Sequence, residues 1–260
     1  MKFIEFQMVR FNRFGKAASQ NRLAYHEYQN RIGNYFLQQF VKPYAKGKKI
    51  VDIGCGEGGV LVPFAKAGYD CIGLEYSPDR VEYARQKSSP NIRFIEGDIE
   101  QFNYDEKFDI ILMLDVIEHL QQKLTALRNI KKILSAEGIV IISFPPFRSP
   151  FGGHQQVMKS FLKYIPYIHL LPETIYSWLL EKIESKGIES HLKNYQNGIT
   201  IRQFEKLIDQ AGFEVMARNA YLIRPRQALR FGLKIIQNRV KIFNEYLTTG
   251  IVYILKASSD

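Results

Sequence analysis

Short apolar runs alternate with stretches of helical periodicity through the middle of the chain. The apolar runs predict strands at residues 50–53, 71–75, 92–96, 108–114 and 139–144. The stretches between them predict helices at residues 60–67, from Ser77 onwards, and from about residue 124 to an end at Gly138. Such alternation with short connections is typical of a doubly wound parallel sheet. Right-handed crossovers then bring the loops that follow the strands to one edge of the sheet.

Two further segments stand outside this alternation. Residues 21–41 have apolar side chains at spacings of mostly three to five, which predicts an amphipathic helix within an N-terminal helical cap, residues 1–46. Residues 147–198 are rich in aromatic and aliphatic side chains, and Pro166 and Pro172 divide them into short helices. We interpret this second segment as an insertion that forms a lid.

The most informative stretch is Asp52-Ile53-Gly54-Cys55-Gly56-Glu57-Gly58-Gly59, between the first strand and the next helix. Glycine permits positive φ and lets a ligand approach the backbone closely. A loop at the carboxyl end of a strand, ahead of a helix, is the usual ligand crevice of an open α/β sheet. Glu75 ends the next strand 21 residues after Gly54, which suits a carboxylate that accepts hydrogen bonds from a ribose diol. The alternative is a tight turn that binds nothing.

The pattern Asp-x-Gly-x-Gly-x-Gly followed by Glu75 resembles the first two motifs of class I S-adenosylmethionine-dependent methyltransferases, the type 11/23 methyltransferase-domain proteins. The loop is not the dinucleotide fingerprint, because an acid at Glu57 would repel a pyrophosphate. The sulfonium and ammonium of adenosylmethionine, in contrast, suit nearby acids. Gly97-Asp98-Ile99 after the third strand resembles the turn that faces the adenine in this family. The resemblance implies S-adenosyl-L-methionine as cofactor and S-adenosyl-L-homocysteine as product.

The resemblance also implies the fold class: α/β, a Rossmann-like doubly wound seven-stranded sheet with an antiparallel closing strand, plus a helical lid insertion. The core would comprise residues 47–146 and 199–258, with residues 213–223 and 250–256 as the antiparallel pair that closes the sheet. In this family a helix ahead of the first strand often closes over the cofactor. The implied cofactor-binding residues are Tyr25, Asp52, Gly54, Cys55, Gly56, Gly58, Glu75, Tyr76, Ser77, Gly97, Asp98, Ile99, Leu114 and Asp115.

Asp115, Glu118 and His119 follow the fourth strand at spacings that one helical turn brings together. They resemble the Glu-x-x-Glu-His of small-RNA 2′-O-methyltransferases and of some ubiquinone-pathway O-methyltransferases, in which a magnesium-class ion helps to hold or deprotonate the acceptor hydroxyl. His154 lies roughly where the RNA enzymes add another histidine.

Three interpretations of this motif stay open. It could form a Mg²⁺ site from Asp115, Glu118, His119 and His154, or a metal-free site in which His119 or His154 is the catalytic base. It could also be a Glu-His pair that packs the start of a helix. We favour the metal-free site, because Asp115 is shorter than the family's metal-binding Glu.

A stripe of apolar residues between the two closing strands repeats at spacings of four and three, which predicts one helix at about residues 225–247. The stripe consists of Leu229, Leu233, Ile236, Val240, Phe243 and Leu247. A flanking basic stripe consists of Arg226, Arg230, Lys234 and Lys241. A basic amphipathic helix can lie on an anionic membrane surface, or it can cover a core with its charges in solvent.

Charge and cysteine content add to this picture. Lys and Arg number 36 and Asp and Glu 26, a net charge of +10, which favours anionic partners such as nucleic acid, a membrane surface or a phosphorylated substrate. Two cysteines give no disulfide framework. The N-terminus lacks a signal-peptide core, and no uncharged apolar run is long enough for a transmembrane segment. We therefore expect a cytoplasmic protein, with peripheral membrane contact through the lid and the basic C-terminal helix as an alternative.

The resemblance therefore implies an S-adenosylmethionine-dependent methyltransferase, and we expect it to act on O or N of a small-molecule acceptor, which could be glycan- or lipid-linked. The helical lid at residues 147–198 would cover the acceptor pocket, and its apolar content suggests a large or lipidic acceptor. The enzymatic alternative is metal-assisted 2′-O-methylation of RNA, which fits the net charge although no recognised RNA-binding module is present. The non-enzymatic alternative is an adenosylmethionine-binding regulatory scaffold.

Overall fold

The computed structural model describes residues 22–87, 89–102, 104–184, 186–240 and 244–258. The part of the predicted N-terminal cap that precedes Arg22 lies outside these described residues. The helices are α1 Arg22–Phe36, α2 Val62–Lys66, α3 Pro78–Lys87, α4 Lys123–Ile133, α5 Glu173–Ile183, α6 Ile188–Asn197, α7 Ile201–Gln210, α8 Pro225–Phe231 and α9 Asn244–Leu247. The strands are β1 Lys49–Ile53, β2 Asp70–Glu75, β3 Ile92–Glu96, β4 Phe108–Leu114, β5 Leu134–Phe144, β6 Phe213–Ile223, β7 Ile236–Gln237 and β8 Gly250–Ala257.

The strands form one sheet in the order β3-β2-β1-β4-β5-β8-β6-β7. β1 to β5 are parallel, whereas β8 runs antiparallel to β5 and to β6. The predicted fold class is therefore confirmed, and the two-residue β7 adds an eighth strand at the edge beside β6. Because β1 to β5 are parallel, their carboxyl ends meet at one edge of the sheet, where open α/β folds bind ligands.

The central strands of the sheet are buried on both faces. Successive residues of β1 alternate between the faces, so Val51 and Ile53 pack into one apolar cluster and Ile50 into the other. The first face packs against α4 and α7, and the second against α1 and α2. Burial on both faces explains why the central strands are nearly continuous apolar runs in the sequence.

The boundary between α4 and β5 differs from the prediction. Gly138 was predicted to end the helix, but α4 ends at Ile133 and β5 begins at Leu134. A Cβ at Gly138 would lie 2.9 Å from the carbonyl oxygen of Phe108. Gly138 therefore allows β5 to pass close to β4, and it is not a helix C-cap.

The prediction of a single helix at residues 225–247 is wrong. α8 ends where Gly232 adopts a left-handed conformation with φ 67°, which is a common helix stop. The chain then pairs with β6 through β7 and forms the short α9. Most of the apolar stripe does not pack as one helix face: Leu233, Ile236, Val240 and Leu247 are exposed, and Phe243 and Lys241 lie outside the described residues.

The segment of residues 147–198 contains three short 3-10 turns followed by α5 and α6. It has an apolar cluster of its own, built on Met158, Leu162, Ile168, Tyr176 and Leu180. The segment leaves and rejoins the core at one point, since the backbone N–H of Phe147 donates to the carbonyl of Ile199 at 2.8 Å. Across the described ranges, no helix is both long enough and apolar enough to span a bilayer.

Candidate functional site

The glycine loop follows β1 and adopts the backbone conformation that its sequence requires. Gly54, Gly56 and Gly58 have φ values of 72°, 59° and 78°. Side chains at these positions would be strained, which explains the repeated glycine. The N–H groups of Gly54 and Cys55 both donate to the carbonyl of Leu74, at 2.7 and 3.1 Å, and so tie the loop to the end of β2.

Helix α1 also contacts this loop and stabilises it. The side-chain amide of Gln29 donates to the carbonyl of Cys55 at 3.0 Å, and its oxygen accepts from the N–H of Gly59 at 3.3 Å. The helix can approach because residue 33 is glycine: a Cβ there would lie 2.0 Å from the carbonyl oxygen of Val60. Gln29 was not predicted to contact the loop, since a glutamine in an amphipathic helix carries no distinguishing signal.

Glu75 lies at the end of β2 and faces the loop. Its Oε2 accepts from the N–H of Gly56 at 2.9 Å, and its Oε1 accepts from the N–H of Ser77 at 3.0 Å. A carboxylate has about four acceptor positions, so two remain for a ligand diol. Arg80 of α3 lies close by, 3.9 Å from Glu75 and 3.3 Å from Glu57. Glu57 is therefore paired with a cation of the protein.

Asp52 precedes the loop within β1 and is buried. Burial, partly opposed by Arg226 and aided by Glu75, raises the pKa of Asp52 to about 8. Burial also raises the pKa of the Cys55 thiol well above its ordinary value. At neutral pH both side chains are therefore mainly uncharged, and a bound cation would shift Asp52 toward its charged form.

The turn after β3 lies beside this loop. The N–H of Gly97 donates to the carbonyl of Glu75 at 3.0 Å, and Oδ1 of Asp98 accepts from the N–H of Glu100 at 2.9 Å. The side chain of Ile99 is buried.

The other predicted cofactor residues have varied surroundings. Leu114 is buried at the end of β4, whereas Tyr76 is 74% exposed. The ring of Tyr25 lies beside Arg80, 5.8 Å from the centre of its guanidinium.

His119 and His154 come together from different parts of the chain. Their ring centroids are 4.8 Å apart, and Oε1 of Glu118 lies 3.9 Å from Nε2 of each. Glu118 is buried, and neither of its oxygens has a hydrogen-bond partner among the described residues. The sequence therefore identified two histidines and a carboxylate that do converge in space.

The surroundings of this trio favour its uncharged forms. Burial, and then the charge of Asp115, raises the pKa of Glu118 well above its ordinary value. Burial, and then the neighbouring His119, lowers the pKa of His154 to about 3. Burial likewise lowers the pKa of His119. Both imidazoles are therefore neutral near pH 7, and the low pKa of His154 makes its ring a weak base.

The carboxylate of Asp115 is not part of the trio, contrary to the prediction that one helical turn would bring Asp115, Glu118 and His119 together. It adopts a left-handed conformation with φ 57°, and the 3-10 turn that follows begins at Ile117. Its Oδ2 instead accepts from Arg224 at 2.8 Å and from Arg226 at 2.6 Å. Burial opposes ionisation, but Arg224 and then Arg226 outweigh it and lower the pKa of Asp115 to about 2.

The two arginines are the functional-site candidates that sequence reasoning missed. Arg226 belongs to the predicted basic stripe, whose alternatives were an anionic membrane surface or solvent, and Arg224 belongs to no predicted site. The available signal was their position directly after β6, in the stretch Arg224-Pro225-Arg226.

The donor atoms of the trio determine which metal ion could bind there. One oxygen of Glu118 and one nitrogen each of His119 and His154 lie within 4.8 Å of one another. Two imidazoles and one carboxylate suit a borderline divalent ion such as zinc, iron or manganese, whereas Mg²⁺ prefers oxygen ligands. The trio therefore fits Mg²⁺, the ion of the metal-bound alternative, poorly.

Residues 51–142 match the family described as methyltransferase domain. Ubiquinone biosynthesis O-methyltransferase of Azorhizobium caulinodans is 31% identical over 102 residues, which are 38% of this chain and 40% of that protein. Norajmaline N-methyltransferase of Rauvolfia serpentina is 34% identical over 117 residues, which are 42% of this chain and 40% of that protein. The chain thus spans about two fifths of the length of these curated relatives.

The fold extends over more of the chain than the sequence similarity does. A solved structure of an S-adenosylmethionine-dependent methyltransferase from Thermotoga maritima has a TM-score of 0.55 and covers 91% of this chain and 95% of its own. The sequence identity is 21%, so this similarity establishes the fold alone.

Proposed function

We propose that the chain, whose residues 51–142 match the methyltransferase-domain family, transfers a methyl group from S-adenosylmethionine to an oxygen or nitrogen of a small acceptor. The observation that carries the proposal is the glycine loop with Glu75 aimed at it, at the carboxyl edge of a parallel sheet. The curated relatives include an O-methyltransferase and an N-methyltransferase, which supports either atom as the acceptor.

The residues of this edge fit adenosylmethionine. The free acceptor positions of Glu75 would take the ribose hydroxyls. Asp98 and Ile99 would hold the adenine, and the backbone of Gly54 and Gly56 would lie against the methionine end. When bound, the cofactor supplies a methyl group on a positively charged sulfur. Asp52 would stabilise that charge once ionised, because it is buried close to the loop.

We assign the proton transfer to the two histidines. A neutral imidazole of His119 or His154 would take the proton of the acceptor O–H or N–H while the methyl group is transferred. Glu118 lies 3.9 Å from both rings and would orient the imidazole that takes the proton. The alternative within the same trio is a divalent ion that lowers the pKa of the acceptor hydroxyl.

The 147–198 segment would act as the lid of the acceptor pocket. It contributes His154 itself, and the side-chain amide of Asn197 donates to the carbonyl of His119 at 3.1 Å. Its outer surface carries exposed aromatic side chains, including Phe161 and Trp178. This surface would suit peripheral membrane contact and a lipid-linked acceptor.

The test is transfer of an isotopically labelled methyl group to candidate phenols, catechols and amines, followed by mass spectrometry of the products. If a histidine is the base, His154→Ala or His119→Ala should lower turnover by about 10²–10⁴-fold. Adenosylhomocysteine affinity, measured by calorimetry, should be retained.

The same assay distinguishes the base from a metal. In the metal-free mechanism a chelator leaves transfer unchanged. If the chelator stops transfer and manganese or zinc restores it, the trio holds an ion instead. If neither histidine variant nor the chelator affects turnover, both assignments are wrong.

A further inference from the structure

Two arginines share one carboxylate oxygen at the active edge of the sheet. Nη1 of Arg224 and Nη1 of Arg226 lie 2.8 and 2.6 Å from Oδ2 of Asp115. Oδ1 of Asp115 accepts from Oγ of Ser143 at 3.3 Å. Each guanidinium offers about five N–H donors, so a single carboxylate leaves most of them available to another acceptor.

This group is largely removed from solvent. The side chains of Arg224, Arg226 and Asp115 are 16%, 25% and 9% exposed. Nε of Arg224 is buried and has no hydrogen-bond partner among the described residues. The stem of Arg224 fits because residue 250 is glycine, where a Cβ would lie 2.4 Å from its Cδ.

The charges of the group do not balance. The nearby acid Glu118 does not pair with the second guanidinium, because neither of its oxygens has a hydrogen-bond partner among the described residues. A surplus positive charge away from water is costly unless an anion joins it. An ion pair that served stability alone would need one arginine.

Both arginines follow β6, which lies farther along the sheet than the strands β1 and β2 that carry the glycine loop and Glu75. Asp115, itself a candidate cofactor residue, follows β4 between them. A small cavity beside the pair is lined by apolar side chains that include Leu114, Phe144 and Tyr221. Both arginines also act on the charge of His154, the candidate base.

We propose that Arg224 and Arg226 form a carboxylate-binding site that receives a carboxylate of the methyl acceptor. The proposal rests on the proposed methyltransferase function and narrows its acceptors to molecules with a carboxylate near the methylated atom. The same chemistry would fit the α-carboxylate of the cofactor, since Arg226 also acts on Asp52. The position of the pair between β4 and β6 favours the acceptor.

The experiment is calorimetric titration of the full chain with benzoate and with its neutral analogue benzamide, with and without saturating adenosylhomocysteine. We expect benzoate to bind at least about tenfold more tightly than benzamide, as for a charge-assisted contact. Binding that persists with adenosylhomocysteine assigns the site to the acceptor. Benzoate that adenosylhomocysteine displaces assigns it to the cofactor carboxylate and overturns the acceptor assignment. Equal binding of the two probes, or no benzoate binding at millimolar concentration, overturns the site itself.

Variants test the residues. Arg224→Gln should weaken benzoate binding by about tenfold or more, whereas Arg230→Gln, on helix α8 directly after Arg224, should leave it unchanged. Because Arg224→Gln could also destabilise the protein, Asp115→Asn provides the opposite test. It removes the competing carboxylate, so benzoate should bind more tightly and raise the melting temperature more than in the unaltered protein. A loss of benzoate affinity in folded Asp115→Asn would show that the pair needs Asp115 and is structural.

The failure of this inference is distinguishable from that of the proposed function. Adenosylhomocysteine binding is measured in the same titrations. If adenosylhomocysteine binds and benzoate does not, the carboxylate site fails and the methyltransferase proposal stands. If adenosylhomocysteine does not bind, the proposed function fails.

Discussion

Asp52 lies within β1, and Asp115 directly follows the adjacent strand β4. The surroundings of the two aspartates shift their pKa values in opposite directions. Burial dominates at Asp52 and raises its pKa to about 8. At Asp115 two arginines outweigh burial and lower the pKa to about 2. The stability that Asp115 contributes is present above its ordinary pKa of 3.8 and is lost as the pH falls through about 2. The two acids therefore have different chemistry at neutral pH, one largely uncharged and one ionised.

For Asp52 we predict the opposite dependence of folding stability on pH. Its pKa rises from an ordinary value of 3.8 to about 8 on folding, so its contribution is fully present below 3.8 and is lost as the pH rises through about 8. Asp52→Asn mimics the uncharged form. In urea unfolding of the cofactor-free protein, Asn should therefore gain stability relative to Asp by at least about 1 kcal/mol between about pH 5 and pH 9. Asp105→Asn, at an exposed position, is the control; a stability difference between Asp52→Asn and the unaltered protein that does not change with pH would contradict the account.

Sequence reasoning at this scale succeeded where function depends on local spacing. The glycines and Glu75 form a recognisable pattern because a loop and the next strand are close in the chain. Arg224 and Asp115 meet across 109 positions, and no local spacing relates them. His154 was found through the family resemblance, since it too is remote in sequence from the motif it joins.

Among the helices and strands, α1 determines the shape of the glycine loop most directly. It contacts the loop through Gln29 and approaches Val60 so closely that residue 33 has no room for a side chain. The sequence predicted this helix from its periodicity, but periodicity gives no information about the partner of the helix. The contact became visible only in three dimensions.

Gly33→Ala tests this contact, because the direction of its effect on stability depends on whether α1 packs against the loop. In an ordinary helix the change would stabilise by about 1 kcal/mol, because alanine has the higher helix propensity. Here the added Cβ would lie 2.0 Å from the Val60 carbonyl oxygen, so we expect destabilisation of about 1–3 kcal/mol and weaker adenosylhomocysteine binding. Asn34→Ala, at the adjacent exposed position, should do neither. Urea unfolding and calorimetry measure both; a more stable Gly33→Ala would contradict the packing of α1 on the loop.

The segment between α8 and α9 shows the limit of periodicity at the element scale. Spacings of four and three describe a helix, yet the chain there contains a helix, a two-residue strand and a second short helix. Gly232, with its positive φ, ends α8, and the edge of β6 pairs with the residues that follow as β7. Neither feature contributes to a hydrophobic pattern. The central strands were predictable because burial on both faces leaves a continuous apolar run.

At the scale of the whole molecule, a net charge of +10 coincides with exposed apolar side chains on the 147–198 segment. Val157, Phe161 and Trp178 are exposed by 67%, 60% and 55%. Basic charge and exposed aromatic side chains together suit the surface of an anionic membrane.

Trp178 is the only tryptophan in the sequence, so its fluorescence reports directly on this surface. We expect a blue shift of its emission on addition of phosphatidylglycerol vesicles, and none with phosphatidylcholine vesicles, because the attraction is partly electrostatic. Phe161→Ser should weaken vesicle binding, whereas Tyr44→Ser, an exposed aromatic outside this segment, should not. Emission that is unchanged by anionic vesicles at low salt would exclude contact through Trp178.

The central claim of a cofactor-binding methyltransferase is tested most directly by calorimetric titration of the full chain with S-adenosylmethionine and S-adenosylhomocysteine. We predict saturable binding of both by the unaltered protein. Glu75→Ala should weaken it by about 10- to 100-fold, the effect of losing charge-assisted hydrogen bonds, while Glu82→Ala, at an exposed position of α3, should bind normally. No heat of binding at millimolar ligand, or Glu75→Ala binding as tightly as the unaltered protein, would contradict the account.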